Sequence, residues 1–412
     1  MKLSKKLPKY EEILLSHSKK LEKIISDEID KKEFLYFDDY MNLALYAPIY
    51  GYYSSNKYKF GNKGDFITAP ELTSIFAKCF SNSFQSVIES FHFNHTNYDI
   101  LEIGAGSGKF ASDVLQSLKE KGILPKAYYI LELSADLKNL QKETILNHTP
   151  ELMDRICWLD KLPQEKIQGI IFANEVLDAM AVCQFIKEDD RIFELGITKN
   201  ERDKNDKNLD KSFKYIQITP REKVLEKVVE LEKNIGKLPN GYRSEINLFE
   251  KPWLESLSSC LNHGMVYLVD YGYEEAEFYR EDRINGTLQC YFKHHVHDNP
   301  LIYAGIQDIT AHVNFTSVAN NAVKAGFELE GYSNQSYFLA ATGIDQIYAK
   351  TYKNYETKLQ LKLAQEVKTL MMPGSMGEVF KVMALSKRDT KSSKIDDLSI
   401  KGFDLLDLSY RL

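Results

Sequence analysis

Between residues 98 and 175, short apolar runs alternate with amphipathic stretches. YDILEIG (98–104) is apolar and ends in glycine, the pattern of a strand buried on both faces of a parallel sheet. ASDVLQSLKEKG (111–122) then has helical spacing and is stopped by Gly122 and Pro125. AYYILEL (127–133) predicts a second strand, and SADLKNLQKETIL (134–146) a helix with Ser134 as its N-cap. ICWLD (156–160) reads as a third strand; GIIFANE (169–175) reads as a fourth, apolar and then abruptly polar. Such β–α repeats imply right-handed crossovers and a parallel sheet.

The flanking pattern is less regular. Ile13, Leu14, Leu21, Ile24 and Ile25 recur at helical intervals and predict a helix over 9–32. Residues 37–76 are rich in Tyr, Gly and Pro, which predicts a structured loop or a binding lid. Helix is expected to resume near Thr73 and to end near Ser90. After the fourth strand, VCQFIKE, RIFELGIT and KYIQIT predict strands of an added antiparallel piece. The charged run NERDKNDKNLDKS (200–212) between them predicts an exposed loop, and 221–236 a helix. MVYLVDYG (265–272) predicts a fifth strand, followed by a loop-rich stretch over 273–310. DITAHVNFTSVANNAVKAG (308–326) is expected to be a helix, FELEGYS (327–333) a sixth strand and 335–370 helical. FKVMALSK (380–387) closes the sheet, and 389–412 reads as a polar, weakly ordered tail.

The expected architecture is doubly wound α/β with a mostly parallel, seven-stranded sheet. The expected organisation is an N-terminal helical and lid region (1–90), a core in two parts (91–195 and 263–388), an inserted α+β segment (196–262) and a tail (389–412).

Composition narrows the function. The 53 basic and 59 acidic residues give a net charge of −6, which argues against nucleic acid as the main partner. The five cysteines form no CxxC pair, so neither a disulfide framework nor a zinc site is indicated. A reducing compartment is expected. No apolar run approaches the roughly 18 residues of a membrane span. The N-terminus mixes lysines with Glu11, Glu12, Asp27, Glu28 and Asp30 and resembles neither a secretory signal nor a transit peptide. The expected location is the cytoplasm.

Three motifs carry chemistry. Glu102-Ile-Gly104-Ala-Gly106-Ser-Gly108 ends the first predicted core strand, where alternating glycines let backbone approach a ligand at a helix N-terminus. A P-loop would need Gly at 103 and Ser or Thr at 110, but these are Ile103 and Phe110. A dinucleotide fingerprint would need Gly at 109, which is Lys109. The G-x-G-x-G spacing is the one that methyltransferases use for the amino-acid end of S-adenosylmethionine. Read conservatively, it is a glycine-rich turn that packs helix on strand.

Glu132, at the end of the second strand, is placed to accept hydrogen bonds from two ribose hydroxyls. Asn174, Glu175 and Asp178 follow the fourth strand, at the rim where open α/β sheets bind ligands. Carboxylates there suit a planar, forked guanidinium, which they bind bidentately. They could equally be acids placed at a helix N-terminus to suit its dipole.

With these motifs the chain resembles the MidA-like family, whose mitochondrial members assemble respiratory complex I. The matching stretches include YMNLALYAPIYGYY, FGNKGDFITAPEL, ILEIGAGSGKF, LELSADLKNLQ, ANEVLDAMAV, YRSEI, LVDYGY, GTLQCYFKHH, GIQDITAHVNF and MGEVFKVMAL, spread over roughly residues 35–387. The resemblance implies a class I, Rossmann-like methyltransferase that uses S-adenosylmethionine. It also implies an arginine on a protein as the acceptor, in a complex I core subunit or its bacterial counterpart. Carried over, Gly104, Gly106, Gly108, Glu102 and Glu132 hold the cofactor, with Gly61, Gly64, Asp65, Phe66 and Thr68 forming a lid over or beside it. Asn174, Glu175 and Asp178 face the acceptor. The partners implied are a protein substrate, no nucleic acid and no membrane span; a homodimer stays open. The charged run over 199–212 and the last 25 or so residues lie outside the resemblance.

Other features weigh less. His294, His295, His297 and His312 lack metal-site spacing, and His312 reads as a structural residue at the start of a helix. Tyr271 could line the same rim; Tyr46, Tyr50, Tyr52 and Tyr53 read as packing, with one of them open to a stack against the adenine or sulfonium. The competing functions are an assembly chaperone with little turnover and a small-molecule methyltransferase. A dehydrogenase lacks its third glycine.

Overall fold

The computed structural model describes residues 12–54, 68–93, 97–200, 212–388 and 399–412. Two compact units form, each from three stretches of chain. One comprises Met1–Phe66, Asp178–Glu250 and Glu275–His312; the other comprises Ile67–Leu177, Lys251–Glu274 and Val313–Leu412.

The second unit holds the central sheet. Its strands are β1 (Asp99–Ile103), β2 (Ala127–Leu131), β3 (Ile156–Leu159), β4 (Ile167–Asn174), β5 (Leu261–Tyr273), β6 (Glu328–Asn334) and β7 (Phe380–Lys387). They lie in the order β6-β7-β5-β4-β1-β2-β3, and a short strand, Val313–Asn314, pairs with the end of β5. β1 to β5 are mutually parallel, while β7 runs antiparallel to both β5 and β6. From β1 the chain winds outward through β2 and β3, then returns to place β4 on the other side of β1. Such a reversal is where open α/β sheets bind ligands, outside the carboxyl ends of the strands.

An aromatic layer fixes the helices on the sheet. Phe110, from the helix Lys109–Glu120, stacks on Phe172 of β4 with ring centroids 4.0 Å apart. Phe80 and Phe84, on the helix Ser74–Ser90, meet the same Phe172 edge-on. That helix was expected in an N-terminal region running to residue 90; its buried aromatic stripe attaches it to the central sheet. Ser134 caps the helix Ala135–His148 as expected, its side chain accepting from Leu137 N.

The first unit is antiparallel. Cys183–Glu188, Arg191–Lys199 and Phe213–Ile218 are strands where the sequence predicted them, joined by Leu35–Tyr36 and Arg243–Ile246 in a five-stranded sheet. A three-stranded sheet adds Gln289–Phe292, His295–His297 and Asp308–Thr310 within the stretch expected to be loop-rich. The helix Glu12–Lys32 buries Leu21, Ile25 and Ile29. Asp38, Cys183 and Glu194 converge closely enough to suggest metal ligands. The Arg221 guanidinium already answers their charge: it pairs with Asp38 and Glu194 and lies 4.0 Å from the Tyr36 ring centroid.

Three expectations need correction. Residues Phe37–Tyr46 form a helix rather than loop, because Phe37, Tyr40, Met41, Ala44 and Leu45 share one buried face. Residues 308–326 are not one helix. Strands Asp308–Thr310 and Val313–Asn314 come first, and the helix begins at Phe315, where the Asn314 side chain caps Ser317 N. The described part of the tail, 399–412, packs rather than frays: Phe403 and Leu408 are buried, Lys401 O accepts from Ser83 and Leu408 N donates to Tyr332 O. The charged run at 201–211 lies outside the described residues.

Candidate active site

β1 ends at Ile103, and the chain turns into the helix Lys109–Glu120 through Gly104, Gly106 and Gly108, at φ +70°, +54° and +83°. Residues with a side chain rarely adopt this left-handed region, so the backbone shape itself requires glycine. Space requires it too. A Cβ on Gly108 would lie 3.0 Å from Gln141 Cα, and one on Gly104 3.2 Å from a Val176 methyl.

Glu132 lies just past β2 and is nearly buried. Its Oε1 accepts from Ser134 N at 2.8 Å, and its Oε2 from Gln141 Nε2 at 3.1 Å. Burial raises its pKa, while the Ser134 and Gln141 hydrogen bonds pull it back down. Sequence reasoning missed Gln141. This fully buried side chain also donates to Gly106 O at 3.1 Å and accepts from Trp158 Nε1 at 2.9 Å. One amide therefore ties the glycine turn to the acid after β2 and to β3. A glutamine within a helix carries no sequence signal for this.

Glu102 takes a different position from the other predicted cofactor residues. It is buried and accepts from Tyr128 OH at 2.7 Å across the β1–β2 pair. Burial pushes its carboxyl up to about 8, partly opposed by the Tyr128 bond. Thr68 begins a turn in which its carbonyl accepts from Glu71 N and Leu72 N, and Glu71 in turn accepts from Ser107 Oγ of the glycine turn. Gly61, Gly64, Asp65 and Phe66 lie outside the described residues.

At the end of β4 the chain makes a second sharp turn. Glu175 sits at φ +53°, and its N donates to Val269 O at 2.8 Å. Asn174 Nδ2 donates to Glu175 Oε1 at 3.1 Å. Asn174 Oδ1 is buried and accepts no hydrogen bond among the described residues, so it can receive a ligand's donor. Val176 packs where Gly104 lacks a side chain, which sets this turn beside the glycine turn.

Asp178 opens the first unit. It is buried, its carbonyl accepts from Ala311 N, and its carboxylate, with that of Asp308, surrounds Tyr53. Tyr53 OH donates to Asp308 Oδ2 at 3.0 Å, and its ring stacks on Tyr46 at 5.5 Å. Burial first, and then the two carboxylates, push the Tyr53 hydroxyl well above its ordinary range, so it remains a donor. The structure thus groups Asn174 and Glu175 with the glycine turn, and Asp178 with two tyrosines and Asp308. His312 lies between two strands rather than at a helix start, and its backbone and ring nitrogens meet Thr287.

This sheet order, with a triple-glycine turn after β1 and a hydrogen-bonded acid after β2, defines a class I, Rossmann-like methyltransferase. The chain belongs to a family of S-adenosyl-L-methionine-dependent methyltransferases, which it matches over residues 79–333. A crystal structure of a methyltransferase-like protein from Burkholderia thailandensis, bound to S-adenosyl-homocysteine, is 31% identical with a TM-score of 0.87, covering 99% of this chain and 100% of that one. Among curated proteins, the mitochondrial protein arginine methyltransferase NDUFAF7 homolog of Caenorhabditis elegans is 25% identical, over 89% of this chain and 86% of its own length. The human mitochondrial protein arginine methyltransferase NDUFAF7 is also 25% identical, over 84% of this chain and 79% of its own. The cofactor is S-adenosylmethionine. Among the described residues no helix is long and apolar enough to cross a membrane.

Proposed function

We propose that this protein methylates an arginine side chain on another protein. The observation that carries this reading is Glu175, a non-glycine residue held in the left-handed region directly after β4, at the rim beside the glycine turn. Such strain persists only where the surroundings enforce it, and it clusters at functional sites. The names of the curated relatives point the same way. The finer reading is an acceptor in a core subunit of respiratory complex I or its bacterial counterpart, modified during assembly. The same reading places the reaction in the bacterial cytoplasm, or in the mitochondrial matrix of a eukaryote.

In this reading Gly104, Gly106, Gly108 and Glu132 hold the cofactor, which supplies an electrophilic methyl on a sulfonium. The Glu175 carboxylate binds the acceptor guanidinium by charge-assisted hydrogen bonds. Asn174 holds one Glu175 oxygen in place and offers its own buried oxygen to a guanidinium N–H. As the N–C bond forms, the methyl–sulfur bond breaks and its electron pair leaves with S-adenosyl-homocysteine; the attacking nitrogen sheds a proton, and Glu175 is the acceptor at hand. The protein's work is orientation and charge stabilisation rather than covalent chemistry.

The test supplies purified protein and methyl-tritiated S-adenosylmethionine to an extract from a strain lacking it, then identifies the labelled amino acid after acid hydrolysis. Labelled methylarginine is the expected product. Label confined to small molecules, or to another amino acid, would overturn the reading.

A further inference from the structure

Asp270 takes no part in the assignments above. It lies at the carboxyl end of β5 and is only 1% exposed. A carboxylate this deep is tolerated only where hydrogen bonds or a counter-charge offset its lost hydration. Both of its oxygens meet backbone donors: Oδ1 accepts from Tyr271 N and Oδ2 from Leu177 N, each at 2.9 Å. The second bond reaches from β5 into the turn that leaves β4. Val269 adds another tie, its carbonyl accepting from Glu175 N at 2.8 Å. Two consecutive β5 residues therefore hold the turn at 175 and 177, while Val176 fills the space that Gly104 leaves open. Lys381, also buried, stands opposite Asp270 in the β5–β7 register.

Glu175 needs such a clamp. A residue with a side chain is strained in the left-handed region and relaxes when nothing enforces it. A carboxylate suits the task because it accepts strongly through two oxygens, whereas an asparagine offers one acceptor oxygen and an amide that cannot accept.

We infer that Asp270 is a positioning residue for methyl transfer: through Leu177 N–H it holds Glu175 in its left-handed conformation and so sets where the acceptor-binding carboxylate points. This inference rests on the reading of Glu175 as the group that binds the acceptor. Asp270 itself touches neither substrate nor cofactor in this role.

The experiment compares full-length wild type, Asp270→Asn, Asp270→Glu, Glu175→Gln and the Asp270→Asn/Glu175→Gln double variant. Methyl transfer is measured at saturating S-adenosylmethionine with the tritium assay, and S-adenosyl-homocysteine affinity by calorimetry. Both Asp270 variants are expected to bind S-adenosyl-homocysteine within about threefold of wild type, yet to transfer methyl about 10–100-fold more slowly, the scale of a misplaced reacting group. That loss should shrink to less than about threefold on the Glu175→Gln background, because two residues acting as one unit are not additive. Asp270→Glu keeps the charge opposite Lys381 and carries the same test if Asp270→Asn does not fold. Full-rate turnover in the Asp270 variants, or a parallel loss of cofactor affinity, overturns the inference. So does an undiminished Asp270→Asn effect on the Glu175→Gln background. A full-rate Glu175→Gln enzyme beside slow Asp270 variants refutes the acceptor reading itself, and with it the route assigned to Asp270.

Discussion

Glu102 shows how far one side chain's setting can move its chemistry. It stands within the glycine motif, yet it faces Tyr128 in the interior, and burial raises its carboxyl to about 8. The folded protein therefore binds a proton that the unfolded chain, near 4.5, releases. A folded pKa above the unfolded one stabilises fully below the unfolded value, and that contribution is lost as pH rises through the folded value. The wild type should lose stability relative to Glu102→Gln between about pH 4.5 and 8. Thermal melts of both proteins across that range would show it, and a constant difference would mean that Glu102 is already ionised when folded. Gln141 is a related case: its three hydrogen bonds make one amide the junction of the glycine turn, Glu132 and Trp158, though nothing in its local sequence marks it.

Elements were legible where their own periodicity was strong. The seven core strands and the helix Ser74–Ser90 form where the pattern places them. The helix Phe37–Tyr46 is masked in the sequence because its helical stripe is short and lies beside Pro48 and Gly51, which signal turns. The C-terminal segment misled in the opposite direction. Its polar start at 389–399 masks an apolar end, where Ile400, Phe403, Leu405, Leu406 and Leu408 follow closely, and Phe403 packs against Gly331, where a Cβ would come within 2.3 Å of its ring. The segment also covers part of β6 through Leu408 N to Tyr332 O, and Asp407 accepts from Tyr332 N. An edge strand gains from such cover. Phe403→Ala should destabilise the protein by about 3 kcal/mol, the lower end for emptying a buried phenylalanine site. Urea unfolding would measure it, and a loss under about 0.5 kcal/mol, the range of an ordinary surface change, would make the segment incidental.

For the whole molecule, strand order decides where the chemistry sits. The reversal between β1 and β4 brings the glycine turn and the Asn174–Glu175 turn to one rim. The same rim separates this protein from dinucleotide enzymes. Lys109 already begins the helix where a dinucleotide fingerprint would carry its third glycine. Calorimetry should show S-adenosyl-homocysteine binding and no heat with NADH. At a hundred times its dissociation constant, the first ligand should stabilise the fold by about 2.7 kcal/mol. Binding of NADH instead would unseat the cofactor assignment.

By itself the sequence determined the alternation of strand and helix, the glycines that the first turn requires, and the acids that end β2 and β4. Those features are local: they follow from side-chain periodicity and from allowed backbone angles, which adjacent residues settle between them. Only the tertiary structure decided which polar groups meet once buried. Asp270 reaches Leu177 across 93 positions of sequence, and Tyr53 reaches Asp308 across 255. Such pairings form because a buried polar group must find a partner wherever the fold brings one within about 3 Å, and no local pattern encodes that partner. The compact units likewise divide between Leu177 and Asp178: Glu175 belongs to the unit of the central sheet, and Asp178 to the antiparallel unit that holds Tyr53 and Asp308.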